Sequence, residues 1–412
     1  MGRYSSKESE QFTDLQRLVA LLGREDVRRA LHDLTLSRTS ISDVAVPAGL
    51  SQDETVALAT AVKRVAAVYS PIPDREGRRH WYACTPRIRH ALGVIDRYCT
   101  TDSLLYQTTR SRAGTRFLVQ SNVDETVATA QLDGVDIDAG AAKDLLLTQR
   151  QPRTMEERLL VNQFRLTEQL GQLADRPWTP ETLLEIYARL AHGLPASMAH
   201  ADDHDRWTER QAMLADVCRY ANTPNAEACE HPATTALIIR AVIAYWHTFP
   251  AYNGMMSRIL FRFYALQQGY PVLGAIPISQ SELRLLEHPH RQEEASPQSA
   301  ELLEAYHESD ATRWLDTQVT LLNHALDQFR MRMQRAATID AAVVRELQED
   351  ASLNHRQRSI VGRALRLPGA TFRIAYHRTA HRIGYATAHQ DFAELVRLGY
   401  LGEELEGRRK VF

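Results

Sequence analysis

Cysteine is scarce in this chain, with four in 412 residues. Cys84, Cys99, Cys218 and Cys229 form no C-x-x-C pair and have no histidines at zinc-finger spacing, so neither a zinc finger nor a thioredoxin-type motif is encoded. Thiols this few and this scattered read as reduced, mostly buried side chains of a cytoplasmic protein. Long apolar runs are also missing: none approaches the roughly 20 residues that a membrane span needs. Met1 to Gln11 is polar and charged, unlike a signal peptide. Net charge is nearly absent, −2 from 49 basic and 51 acidic residues. Bulk charge therefore argues against a polyanion binder or a membrane-surface protein, and any nucleic-acid face has to be local. Period-two alternation is rare, whereas apolar residues at i, i+3, i+4 spacing recur throughout, so the expected fold is mainly α. The length allows two or three domains, and 44 % hydrophobic with 24 % charged residues is ordinary for a soluble protein.

One stretch organises the rest: His247-Thr248-Phe249-Pro250-Ala251-Tyr252-Asn253-Gly254-Met255-Met256-Ser257-Arg258. An apolar run from Ala236 to Trp246 leads into it and another, Ile259 to Leu266, leads out. Pro250, Asn253 and Gly254 interrupt them with residues that break helices and turn the backbone. The reading is helix, tight polar loop, helix, with His247 where the first helix ends. The second helix presents its positive dipole end and free N–H groups at the loop, an arrangement suited to an anion, and Arg258 lies about one turn further on.

This loop resembles the signature of the Fic family of protein adenylyltransferases, His-x-Phe-x-Asp/Glu-Gly-Asn-Gly-Arg-x-x-Arg. His247, Phe249, Asn253, Gly254 and Arg258 fall at the family's positions. Ala251 stands where the family has its metal-binding acid, Tyr252 at the first glycine and Met255 at the first arginine. The resemblance implies a helical core, with His247 as the base that deprotonates a target hydroxyl. Asn253, Gly254 and Arg258 would hold a nucleotide or other anion. ATP or another nucleotide is the implied ligand, whereas magnesium lacks its usual side chain. Loss of that ligand and of one arginine removes several kcal/mol of transition-state stabilisation, so ordinary adenylylation is expected to be slow or absent. Met255 and Met256 read as packing residues, and Tyr252 either stacks on a ligand or covers the site.

Read in order, residues 1–12 form a polar lead and residues 13–95 an N-terminal module that resembles a winged helix. Its expected elements are helices over Glu25 to Leu34 and Ile41 to Val46, a longer one through Val68 opened by a Ser51/Glu54 capping box, and a hairpin across Pro73 to Tyr82. Asp53 and Glu54 at the start of the third helix would repel phosphates, so the module is read either as packing or as a DNA reader. Residues 96–335 form the Fic-like helical domain. Within it, Thr129, Asp133 and Gly134 resemble the family's inhibitory Ser/Thr-x-x-x-Glu-Gly/Asn pattern, which implies that Asp133 pairs with Arg258. The alternative is a glycine-capped helix end with Asp133 exposed. Thr179-Pro180 and His231-Pro232 read as helix starts, and His288 to Ser299 as a charged surface loop.

Residues 336–412 resemble the winged helix that follows many Fic domains: helices over Asn354 to Arg366, Arg373 to Ile383 and Ala386 to Leu398, then two short strands. From Asn354 onward, eleven basic residues face five acidic ones, a local excess on a chain of net charge −2. Arg378, Arg382, Arg408, Arg409 and Lys410 are the candidate phosphate contacts, with His389 and Gln390 at base edges. The alternative is a solvated basic module for packing or dimerisation, and the family resemblance also implies a homodimer. The function expected is a DNA-binding transcriptional regulator whose core binds a small anionic ligand or partner. A nucleotidyl or related transferase acting on a protein target and an inactive protein-binding scaffold are the alternatives.

Overall fold

A computed structural model describes residues 17, 19–36, 45–65, 67–73, 78–194, 204–223, 230–286, 309–349, 352–364, 372–406 and 409–411. Among the described residues it is mainly α-helical, 74 % helix with little strand. The chain divides into two compact units, residues 1–106 with 121–327 and residues 107–120 with 328–412. The polar lead, most of the Ile41 to Val46 segment and the His288 to Ser299 loop lie outside the described residues.

In the first unit, α1 (Glu25–Leu36) and α2 (Gln52–Val65) pack through Val27, Leu31, Leu58 and Ala59. The capping box that opens α2 is formed: Glu54 N–H donates to Ser51 Oγ at 3.1 Å and Ser51 N–H to Glu54 Oε2 at 2.8 Å. The helix does not run on to Val68. It ends at Val65, and β1 (Ala67–Pro73) pairs antiparallel with β2 (Arg79–Ala83). Val68 and Ser70 are buried and Tyr69 is exposed, the two-fold alternation of a strand. On β2, Trp81 N–H also donates to the Ser309 carbonyl and receives Ala311 N–H on its own carbonyl, at 2.9 and 2.8 Å. This fastens the hairpin to the unit's core.

The helices that follow are α3 (Pro86–Cys99), α4 (Leu104–Thr109), α5 (Arg112–Leu132), α6 (Ala139–Thr148), α7 (Met155–Gln169), α8 (Pro180–Leu190), α9 (His204–Asn222), α10 (Pro232–Trp246), α11 (Asn253–Gln267), α12 (Pro271–Ala275), α13 (Ile278–Leu286) and α14 (Thr312–Glu349). Several begin as sequence chemistry dictates. Thr85, Thr154 and Thr179 each accept a backbone N–H of the first turn, and proline opens α3, α8 and α10. His231 caps α10 through Nδ1, which accepts Ala233 N–H at 3.0 Å, while its Nε2 lies 2.8 Å from Asp96. α10 and α11 are buried on almost every face, which is why their sequences are continuously apolar rather than striped.

Cys99 and Cys218 are buried thiols outside any disulfide, but Cys84 is disulfide-bonded, which corrects the expectation of four reduced thiols. Separation along the chain does not report which thiols meet in space.

The second unit holds α15 (His355–Ala364), α16 (Ile374–His381) and α17 (Tyr385–Arg397), followed by an antiparallel pair, β3 (Glu404–Glu406) and β4 (Arg409–Val411). The three helices share a core of Leu353, Ile360, Val361, Phe372, Phe392 and Leu395. Asp391, 3 % exposed, ties them together. It accepts from Arg356 at 2.8 and 3.1 Å and from Asn354 at 2.9 Å, and lies 3.0 Å from His377 Nε2.

Candidate functional site

The loop between α10 and α11 is a closed, specifically braced turn. His247 ends α10 in the left-handed conformation, φ 50°, with its side chain exposed, and Tyr252 precedes α11 at φ 58°. Neither is glycine, so the surrounding contacts must hold both in place. Asn253 supplies much of that hold. Its Oδ1 accepts Phe249 N–H and its Nδ2 donates to the Phe249 carbonyl, both at 2.8 Å. Phe249 is fully buried and stacks on Tyr187 of α8, ring centroids 5.3 Å apart. Burial raises the Tyr187 pKa, and the nearby Ala251 backbone offsets part of that rise. Asn253 is thereby a structural clamp of the loop. Met255 and Met256 are fully buried, as expected of packing residues.

Arg258, one turn into α11, meets the end of α5. Its Nη1 donates to Asp133 Oδ1 at 2.7 Å, with the two side chains 10 % and 18 % exposed. Asp133 therefore is not a free surface carboxylate. Its exposed part is the backbone at the helix end, where Gly134 turns with φ 74°. Aspartate is short for this reach, and Gly254 makes up the difference: a Cβ there would collide with both Asp133 oxygens. The carboxylate rests against the first turn of α11, where the helix dipole favours negative charge.

Behind this pair lies a buried charge network. Glu282 of α13 accepts from Arg240 Nη2 with both oxygens, at 2.6 and 2.8 Å, and stands 4.0 Å from Arg258 Nη2. Glu125 of α5 is 3.5 Å from Arg262 Nη2 and receives the backbone N–H groups of Ser279 and Gln280 at 3.2 Å. Thr129 Oγ1 donates to Ser279 at 3.0 Å. Burial works against charge on Arg258, but the carboxylates of Asp133, Glu282 and Glu125 outweigh it and its pKa stays above the ordinary arginine value.

Sequence reading places His247, Asn253, Gly254, Arg258 and Asp133 at this site, and the fold brings Asp133, Gly254 and Arg258 into contact. It passed over Glu125, Arg240, Arg262 and Glu282. The signal for the arginines was available: each is a lone charge inside an apolar run, and such charges are buried only when paired. Magnesium does not fit the donors present. Ala251 offers no ligand, Asp133 is engaged by Arg258, and no group of three or more His, Cys, Asp or Glu side chains among the described residues could hold a metal ion.

In the C-terminal module, α16 and α17 are joined by three residues, Arg382 to Gly384. Arg378, Arg382 and Gln390 are exposed and His389 is half-buried. Tyr385 and Thr387 share the exposed start of α17, while Arg363 lies over the Tyr376 ring at 4.7 Å. Arg409 and Lys410 lie on β4, paired in register with Glu406 and Leu405. Arg408 is outside the described residues.

Among the described residues no helix is long and apolar enough to cross a membrane. No family model matches this chain, and no curated protein matches it.

Proposed function

We propose that the protein is a DNA-binding regulator with a Fic-like core. Its C-terminal module binds DNA, and its α10–α11 loop receives one anionic group of a small ligand or partner in the place that Asp133 occupies. The observation that carries this reading is the Asp133 carboxylate, seated against Gly254 at the start of α11 and held by Arg258. A carboxylate of the chain itself fills the position that the helix end and the arginine make favourable for an anion. A ligand anion therefore competes with Asp133. The module's basic excess and the exposed Arg378, Arg382 and Gln390 support the DNA half of the reading.

Fluorescence anisotropy on upstream DNA over a range of salt concentrations tests the DNA half. Binding should weaken as salt rises, and Arg378→Ala and Arg382→Ala should each lower the slope of log K against log salt by about one. Absence of any salt-sensitive binding removes it. For the core, inorganic phosphate should raise the melting temperature of Asp133→Ala more than that of wild type. Equal shifts count against competition.

His247 favours a second reading, a transferase in which it serves as base, because its side chain is exposed at the mouth of the braced loop. Transfer of label from radiolabelled ATP that is lost in His247→Ala would put this reading first. Equal labelling of mutant and wild type would remove it.

A further inference from the structure

Gln163 on α7 is 4 % exposed, yet its Oε1 has no hydrogen-bond partner. Arg258 Nε and Arg262 Nη2 are likewise buried without one. Arg262 Nη2 meets Glu125 Oε1 only at 3.5 Å, an ion pair at the outer limit of hydrogen-bond distance. All three side chains, together with Glu125, line one cavity of about 10 Å³ between α5, α7 and α11. Leaving three polar atoms unmatched around one cavity would be costly, since each forfeits its interaction with solvent.

We infer that this cavity is a binding site for a single water molecule that joins Gln163 to Arg258 and Arg262, and that Gln163 is a positioning residue for Arg258. The volume is about that of one water. The lining chemistry selects among the species that would fit. A halide would accept from both guanidinium groups but would face the Gln163 oxygen and the Glu125 carboxylate. A cation would suit those oxygens but face two arginines. Water both accepts and donates: its lone pairs take Arg258 Nε–H and Arg262 Nη2–H, and its protons go to Gln163 Oε1 and Glu125. Arg258 is then held on two sides, by Asp133 through Nη1 and by the water through Nε. When Asp133 leaves, the water, together with Glu282, keeps the guanidinium in place.

The site can be tested whether or not the proposed function holds, by crystallography of the full chain at a resolution that orders buried solvent. Wild type should show one compact density peak within hydrogen-bond distance of Gln163 Oε1, Arg258 Nε and Arg262 Nη2, without anomalous signal after a bromide soak. Gln163→Leu should lose the peak and shift the Arg258 side chain. Gln163→Met, close to the native side chain in volume, serves if the leucine variant does not fold. No peak in wild type, a bromide signal at the site, or a peak and an Arg258 unchanged in the variant would each overturn the inference.

Discussion

The contact between Asp133 and Gly254 makes a prediction that a double-mutant cycle can decide. A methyl group at position 254 would collide with both carboxylate oxygens. Asp133→Ala removes a hydrogen bond between charged groups, 2.7 Å long and mostly buried, which contributes about 1.5–3 kcal/mol. The loss stays below the ~3–5 kcal/mol of an orphaned buried charge, because Glu282 remains 4.0 Å from Arg258. Gly254→Ala either expels the carboxylate, losing the same pair, or overpacks the contact, at about 1–3 kcal/mol. With alanine at 133 the obstruction is gone. Gly254 lies in the first turn of α11 and its φ is not positive, so alanine should then be accepted there with a gain of about 0.5–1 kcal/mol. The single costs should therefore fail to add by about 1.5–4 kcal/mol, the Gly254→Ala cost plus that gain, against the ~0.5 kcal/mol expected of residues that do not touch. Urea unfolding of the four proteins gives the coupling. Additivity within that margin would refute the claim that Gly254 exists to seat this carboxylate.

Asn253→Ala strips both hydrogen bonds from the buried Phe249 backbone. It should cost about 1–3 kcal/mol per unsatisfied group and speed exchange of the Phe249 amide, whereas unchanged exchange would deny the clamp. In the C-terminal module, burial acts to raise the Asp391 pKa, but hydrogen bonds from Arg356, His377 and Asn354 prevail and bring it down to about 2. The folded value is below the unfolded one of about 3.9, so this stabilisation is complete above that pH and is lost as pH falls toward 2, in all about 2–3 kcal/mol. Amide exchange protection in α15 to α17 should fall over that acid range in wild type, and Asp391→Asn should already be less protected at neutral pH. Burial pushes the Cys218 thiol up to about 12 and Cys99 is buried too, so iodoacetamide should leave both unmodified in the native protein and alkylate them once it is unfolded, as read by mass.

Local chemistry was the legible part of this fold. The Ser51/Glu54 box, the Thr179-Pro180 start and the break between His247 and Asn253 each depend on residues a few positions apart, and each element begins or ends where that chemistry places it. The strand at Ala67 was misread as helix because Val68-Tyr69-Ser70 alternates over too few residues to interrupt the apolar pattern before it. Long-range pairing was not legible. Asp133 and Arg258 are 125 residues apart and Glu125 and Ser279 are 154 apart, and no periodicity links them. The Asp133–Arg258 pairing was expected from a resemblance, not from spacing. Pairing was equally illegible for Asp391, the hub of the C-terminal module, whose partners Asn354, Arg356 and His377 lie 37, 35 and 14 residues away in sequence.

The charge network bears on function because it is an inefficient way to stabilise a core. Arg240, Arg258 and Arg262 face Asp133, Glu125 and Glu282 in a region where most of α10 and α11 is apolar. Apolar side chains of similar volume would hold such helices together as well or better, since desolvating paired charges offsets most of their attraction. What the charges do achieve is to fix one guanidinium beside the mouth of the loop. Arg240 binds Glu282 with both oxygens, Glu282 also stands near Arg258, and Arg258 alone of the three arginines meets a carboxylate that is still 18 % exposed. Under the proposed function, this chain of fixed charges ends at Asp133, the one partner that a ligand anion would displace.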